Sequence, residues 1–452
     1  MATADEHLSG LTAFQLENIT RTCTQACESQ MRQPNTLERL YLDFDGFFAS
    51  VEQAANRKLR GRPVGVVPYE GGGDRAMLIA VSREAKNAGI TSLMSVREAF
   101  AQCCDLVTVP QKPDLYRRAH NALLSEIETV IPIDTAKSID ELTCVVGIDG
   151  RENPEALAWR IKKAIRDQVT PVITSTIGFA ANRQLAKMAC KAGKRSRGTY
   201  GDGLAIWRPE DMPGPLFKVR LEDIPGVGSR LATRLKAMGI FSTEDLYGLQ
   251  PKHLRKIWRS VVGERMWYAL HGYDIQSPAS QRGMFGHGRV LPPESRSRAG
   301  AKDISRLLLT KAARRLRREN YYAGALWLWL ALREGSWFRQ LTLPVVNDNQ
   351  AILSALALLW RAFDDEHPER LAIFRVGVTL LDLSPATERQ MDLLLADDDN
   401  RRRWEAASAA VDALNTKYSG TVVSLGTWKP PKGGNVGGKI SYTRVPTSED
   451  FW

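Results

Sequence analysis

The apolar residues of this chain come in short runs, and that limits its architecture more than any other feature. The longest unbroken run, Tyr321 to Leu332, is twelve residues, well under the roughly 18 that a membrane-crossing helix requires. The others are shorter and change character along the first half of the chain. Leu40–Phe44 reads as a strand that ends in acid, Phe47 to Ala54 as a helix start, and Pro63–Pro68 and Met77–Val81 as two more strands. Ser82–Ala88 has helical spacing up to Gly89, and Tyr116 to Val130 runs helically into Ile131-Pro132. Leu142–Gly147 is β-rich, Pro154–Gln168 helical, and Val172–Phe179 a strand. Strands interleaved with helices predict an α/β or α+β core, and 452 residues predict two to four domains.

Composition narrows the class. With 43% hydrophobic and 25% charged residues, global disorder, collagen-like repeats and a coiled-coil rod are excluded. The first residues, MATADEHLSG, carry no basic-then-apolar pattern, so export is not expected. Six cysteines include no C-x-x-C pair, which speaks against a zinc ribbon or a dithiol redox site and for reduced thiols in the cytoplasm. The net charge of +11 calls for a polyanionic partner. Its densest source is Arg282 to Arg318, where eleven basic residues meet two acids, Glu294 and Asp303. Lys194–Thr199, Gly201–Gly203, Tyr273–Gly288 and Pro430–Gly438 read as breaks or tethers.

Two short segments carry chemistry. One is Tyr41-Leu42-Asp43-Phe44-Asp45-Gly46-Phe47-Phe48-Ala49-Ser50-Val51-Glu52, the other Ser138-Ile139-Asp140-Glu141. A carboxylate at the end of an apolar strand sits at a sheet rim. Two such strands side by side would gather Asp43, Asp140 and Glu141, whose mutual repulsion in a low-dielectric site calls for a cation. Oxygen-only ligands select Mg²⁺, which keeps waters and phosphate oxygens in its shell. Taken alone, a D-x-D or a D-E is more often a plain strand end or turn.

The full context resembles the Y-family (UmuC/DinB-type) translesion DNA polymerases, with their D-x-D-x-F-[FY]-A-x-V-E and S-x-D-E palm motifs. Gly61–Gly89 is similar to that family's small fingers, Thr176–Lys187 (TIGFAANRQLAK) to the last palm strand and its helix, and Leu221–Ile240 to the thumb hairpin. The resemblance implies an α+β multidomain right hand: a palm of mixed sheet and helices, small fingers, a helical thumb with a helix-hairpin-helix, and a βαββαβ little finger. Residues 1–38, with two basic and five acidic groups, read as a polar and disordered leader that has no counterpart in the family; the resemblance then sets the palm at 39–48 and 112–194, fingers at 49–111 and thumb at 195–272. A linker at 273–288, a little finger at 289–388 and a tail at 389–452 would follow.

By that resemblance Asp43, Asp140, Glu141 and the Phe44 carbonyl would hold two Mg²⁺ ions for phosphoryl transfer from a dNTP to a primer 3′-OH. Phe47 and Phe48 would lie at the nucleotide, with Phe48 as the steric gate against a 2′-hydroxyl. Arg83, Lys86 and Lys187 would meet the triphosphate. Here the chain departs from the family, in which the first position is commonly Tyr and the second commonly Arg.

Duplex contacts are expected at Gly226 and Gly228, where a tight turn feeds backbone N–H groups and a helix N-terminus to a phosphate. Arg296, Arg298 and Arg314 of the basic stretch are expected to track the backbone. A plain helix–turn–helix joint and a solvated helix face are the competing readings. Gln390-Met391-Asp392-Leu393-Leu394 resembles the short peptides that dock bacterial polymerases on the sliding clamp. The implied partners are therefore primer-template DNA, dNTP and the β clamp, with other SOS or mutasome proteins also in view, in the cytoplasm and with the nucleoid. Two alternatives are a non-catalytic clamp-bound scaffold of the same fold and, more remotely, a palm-type cyclase. The retained acids oppose the first, and the thumb hairpin and basic stretch the second.

Overall fold

A computed structural model of the protein describes residues 31–70, 73–195, 203–275, 282–388, 398–424, 445 and 447. The chain forms two units, one from residues 1–57 and 120–279, the other from 58–119 and 280–452. Among the described residues no helix is long and apolar enough to cross a membrane.

The first unit is built on a five-stranded sheet in the order Ile133–Ala136, Glu141–Val145, Arg39–Phe44, Ser175–Ala180, Leu204–Ile206. Arg39–Phe44 is central because Leu40, Leu42 and Phe44 alternate with Tyr41, and all four are buried. It runs antiparallel to both neighbours, whereas Ser175–Ala180 and Leu204–Ile206 are parallel. The helix Arg183–Arg195 lies against the sheet so closely that a Cβ on Gly178 would stand 2.2 Å from the Cys190 nitrogen. Only glycine permits that approach. Leu185 and Met188 of this helix share one apolar cluster with Leu216, Ile224, Leu235, Leu254 and Leu270 of the helical 214–270 region.

Residues 31–38, expected to lie in the polar leader, are part of this unit. Met31–Arg32 pairs antiparallel with Asp274–Ile275, Leu37 is buried, and Glu38 accepts from Arg32 and stands 3.5 Å from Arg151.

The second unit holds two separate cores. Ala80–Val81, Val64–Val67 and Val107–Pro110 make a three-stranded sheet packed with Leu78, Ile90, Val96 and Leu106. The other core is a four-stranded antiparallel sheet in the order Phe285–Val290, Arg375–Pro385, Tyr321–Ala331, Ser336–Val346. With helices Arg298–Arg318 and Asn349–Glu366, its chain order is βαββαβ, as the resemblance implied. The tether expected at 273–288 is thus shorter, since Phe285–Val290 is an edge strand of this sheet. A further helix, Asp398–Lys417, adds to the same unit. Its Ser408 hydroxyl accepts the Asn349 N–H at 3.0 Å.

Candidate active site

Strand pairing brings the acids of the two motifs to one sheet rim. Asp43 lies across from Glu141 on one side and from Thr176 on the other, and the Phe44 N–H donates to the Asp140 carbonyl at 2.9 Å. Every carboxylate has a partner. Tyr41 Oη donates to Glu141 Oε2 at 2.8 Å, and Lys187 Nζ donates to the same oxygen at 3.0 Å. Ser138 Oγ donates to Asp140 Oδ1 at 2.5 Å. Lys194 pairs directly with Asp43 Oδ1, and its Nζ stands 3.9 Å from Asp45 Oδ1. Asp45, not expected among the ligands, accepts from Thr174 at 3.0 Å and Thr176 at 3.1 Å and so is tied to the sheet.

The electrostatics follow from burial first and from these neighbours second. Burial pushes the Asp43 carboxyl up to about 7; Lys194 pulls against the shift, while Asp140 and Glu141 add to it. Burial works against the charge of Lys194, yet Asp43 and Asp45 outweigh it and raise its ammonium above the ordinary lysine range. Burial, with Glu141 alongside, lifts the Tyr41 hydroxyl far above an ordinary phenol, so Tyr41 acts as a hydrogen-bond donor.

Among the described residues no three His, Cys, Asp or Glu side chains converge as a ready-made metal cage. The carboxylates of Asp43 and Glu141 are turned to lysines instead. In kind and in backbone placement the set still suits a hard divalent ion: all donors are oxygens, and strand pairing sets Asp43 beside Glu141 and Asp140 at one rim.

Around the acids, Phe44 and Phe47 are buried, with ring centroids 5.7 Å apart. Phe48 is half-buried, 6.0 Å from Phe47. Phe47 is therefore a packing residue, and of these three rings Phe48 is the one that reaches the surface. Arg83 and Lys86 are exposed on the short helix Arg83–Asn87 of the second unit, behind the Ser82 cap.

Sequence reasoning missed Lys194, which it assigned to a basic linker, and also Tyr41 and Ser138. The helix runs on to Arg195. The seven-residue spacing of Lys187 and Lys194, two turns along one helix, was the available signal.

The hairpin expected at Gly226 and Gly228 is present. Gly226 has φ +97°, which glycine alone adopts freely, and Gly228 precedes the helix Ser229–Ala237. Both glycines are exposed. This hairpin is bolted to the lysine-bearing helix, with Gln184 donating to the Pro225 carbonyl and Lys191 to the Asp223 carbonyl, each at 2.9 Å.

The basic stretch is not the unneutralised face that its charge count suggested. Arg296 donates to the Leu291 carbonyl and lies over the Phe374 ring. Arg298 pairs with Asp364 at 2.9 Å and donates to the Glu369 carbonyl at 2.8 Å. Arg314 donates to Thr416 at 2.8 Å, and Arg317, almost buried, to Asp412 at 2.7 Å and the Asn347 carbonyl at 2.6 Å. Among the described residues, the sheet face opposite the helices is the open one. Trp329 sits between Phe338 and Gly377 in register, the Arg375 guanidinium lies 5.2 Å over its ring, and Phe338 is 64% exposed. Gln390–Leu394, the expected clamp peptide, lies outside the described residues.

Comparison with known proteins agrees with this fold. Residues 42–191 match the impB/mucB/samB family model, and 282–393 match the model of that family's C-terminal domain. The chain is 33% identical over 398 residues to DNA polymerase IV of Moorella thermoacetica, covering 85% of this chain and 94% of that one. It is 25% identical over 405 residues to DNA polymerase IV 1 of Bacillus subtilis, covering 85% and 92%. Among solved structures, a Y-family DNA polymerase chimera superposes with a TM-score of 0.62 at 22% identity. The insertion ternary complex of Dbh DNA polymerase does so with 0.51 at 23%; each covers 76% of this chain and 98% of its own.

Proposed function

The chain belongs to the impB/mucB/samB family of Y-family DNA-directed DNA polymerases, and on that premise we propose that it performs template-directed, low-fidelity translesion synthesis, extending a primer 3′-OH without proofreading. The observation that carries this reading is the register of Asp43 against Glu141, with Asp140 beside them, at the rim of a buried sheet.

On this reading Asp43, Asp140, Glu141 and the Phe44 carbonyl would hold two Mg²⁺ ions, which supply a lowered 3′-OH pKa and neutralise charge on the departing pyrophosphate. The protein's own work is positioning and charge. Lys187 presents an ammonium beside Glu141 that can turn to a triphosphate oxygen. Phe48, half-buried beside the packed Phe47, excludes a 2′-hydroxyl by its bulk. Arg83 and Lys86 are proposed as further donors to nucleotide phosphates.

Two surfaces suit DNA. The Gly226–Gly228 turn offers backbone N–H groups to a phosphate without reading sequence. On the little finger we assign duplex contact to the open face bearing Trp329, Phe338 and Arg375, in place of Arg296, Arg298 and Arg314, whose guanidinium groups have protein partners. Gln390–Leu394 remains the proposed peptide for the sliding clamp.

Primer extension on damaged and undamaged templates, with and without clamp, tests the whole reading. Undiminished extension by Asp140→Ala would overturn it.

A further inference from the structure

The helix Arg183–Arg195 carries two lysines, two turns apart, to the acidic rim, and they divide it between them. Lys187 serves Glu141 and Lys194 serves Asp43. The first matches an expected nucleotide contact. The second has no assigned task.

We propose that Lys194 is a built-in counter-cation that competes with divalent metal for Asp43 and is received by Asp45 when it yields. It thereby sets how tightly the rim takes the ion. This rests on the reading of Asp43 as a metal ligand. Four carboxylates face this space, Asp43, Asp45, Asp140 and Glu141, against the ammonium groups of Lys187 and Lys194. A divalent ion on Asp43 would face the Lys194 ammonium in direct contact with the same carboxylate, and like charges at that range repel. Lys194 must then move, and among the described residues the geometry offers one carboxylate to receive it. Asp45 Oδ1 is 3.9 Å from its Nζ, and the two threonine bonds keep that carboxylate on the sheet, where it stays to receive the lysine. Lys194 also lies in the last turn of its helix, where a positive charge is favoured, so the side chain can change partner while its backbone stays in place.

The test is Mn²⁺ binding to the full chain, read from the free-ion EPR signal without DNA or nucleotide. Lys194→Met should tighten Mn²⁺ binding by at least about fivefold, the lower end of ordinary coupling between sites. It should also unfold at lower temperature than the wild type without metal, with the gap closing at saturating Mn²⁺. Asp45→Asn should weaken binding in the wild-type background and do nothing in Lys194→Met, since Asp45 acts only through the lysine. Unchanged or weaker binding in Lys194→Met overturns the proposal. Should that variant fail to fold, an unchanged affinity in Asp45→Asn alone does the same. Asp140→Ala separates the two levels. If the wild type shows no Mn²⁺ binding that Asp140→Ala abolishes, the metal reading itself fails; if it does, only the role of Lys194 is being judged.

Discussion

The acidic rim and the helix Arg298–Arg318 are both concentrations of like charge, and the fold treats them in opposite ways. At the rim, strand pairing gathers Asp43, Asp140 and Glu141 in a buried place, and burial pushes the Asp43 carboxyl up to about 7 even with Lys194 paired to it. On the helix, the guanidinium groups are answered one by one: Arg298 by Asp364, Arg317 by Asp412, Arg315 by the Gly286 carbonyl. A buried carboxyl so strongly shifted, beside other acids, marks a candidate functional site. Charge that finds partners 29 to 95 residues away in the chain is holding a domain together.

The sharpest break of this contrast is Asp140→Ala. It should cost about a thousandfold or more in the rate of primer extension, through loss of several kcal/mol of metal-borne stabilisation, while leaving the unfolding temperature within a few degrees of the wild type. Arg317→Ala should do the reverse. Removing an almost buried guanidinium that Asp412 and the Asn347 carbonyl depend on should cost about 3 kcal/mol of stability, measured by denaturant unfolding, with extension rate per folded molecule unchanged.

Phe48→Ala sharpens the rim side. Its dNTP/rNTP discrimination should fall by roughly 10–200-fold, the range that loss of bulk in a pocket produces. Single-nucleotide insertion kinetics would show it, and an unaltered ratio would remove Phe48 from the site. On the basic side, Arg375→Ala should reduce the salt slope of DNA binding by about one unit, whereas Arg298→Ala should leave it as it is. The smallest effect is at the hairpin, where Gly226→Ala meets both a φ of +97° and the Met266 methyl at 3.0 Å. It should lose about 1 kcal/mol of stability.

Much of the fold was legible in advance because its signals are local. The strand at 39–44, the helix from Phe47, the Ser82-capped helix and the hairpin glycines all depend on residues within a few positions of one another. The acids were legible for the same reason, since each ends or adjoins an apolar strand. Lys194 was not, because a basic residue before a glycine-rich break looks like a linker until the helix is seen to continue through it. Residues 31–38 were misread for a related cause: their strand partner, Asp274–Ile275, lies more than 200 residues away.

Apolar runs that are short and alternate between strand and helix spacing determined an α/β or α+β class and set the acids at strand ends. Side-chain chemistry at given positions is a property of the chain itself, so carboxylates on strand ends, a second aromatic after them and a glycine turn could all be read directly. What only the tertiary structure decided is who neutralises whom. Coulombic partners are chosen by distance in space, and distance in space is set by packing that no local window contains. Hence the eleven basic residues between Arg282 and Arg318 spoke for a polyanion when counted, and turned out, when folded, to be largely occupied in holding their own domain together.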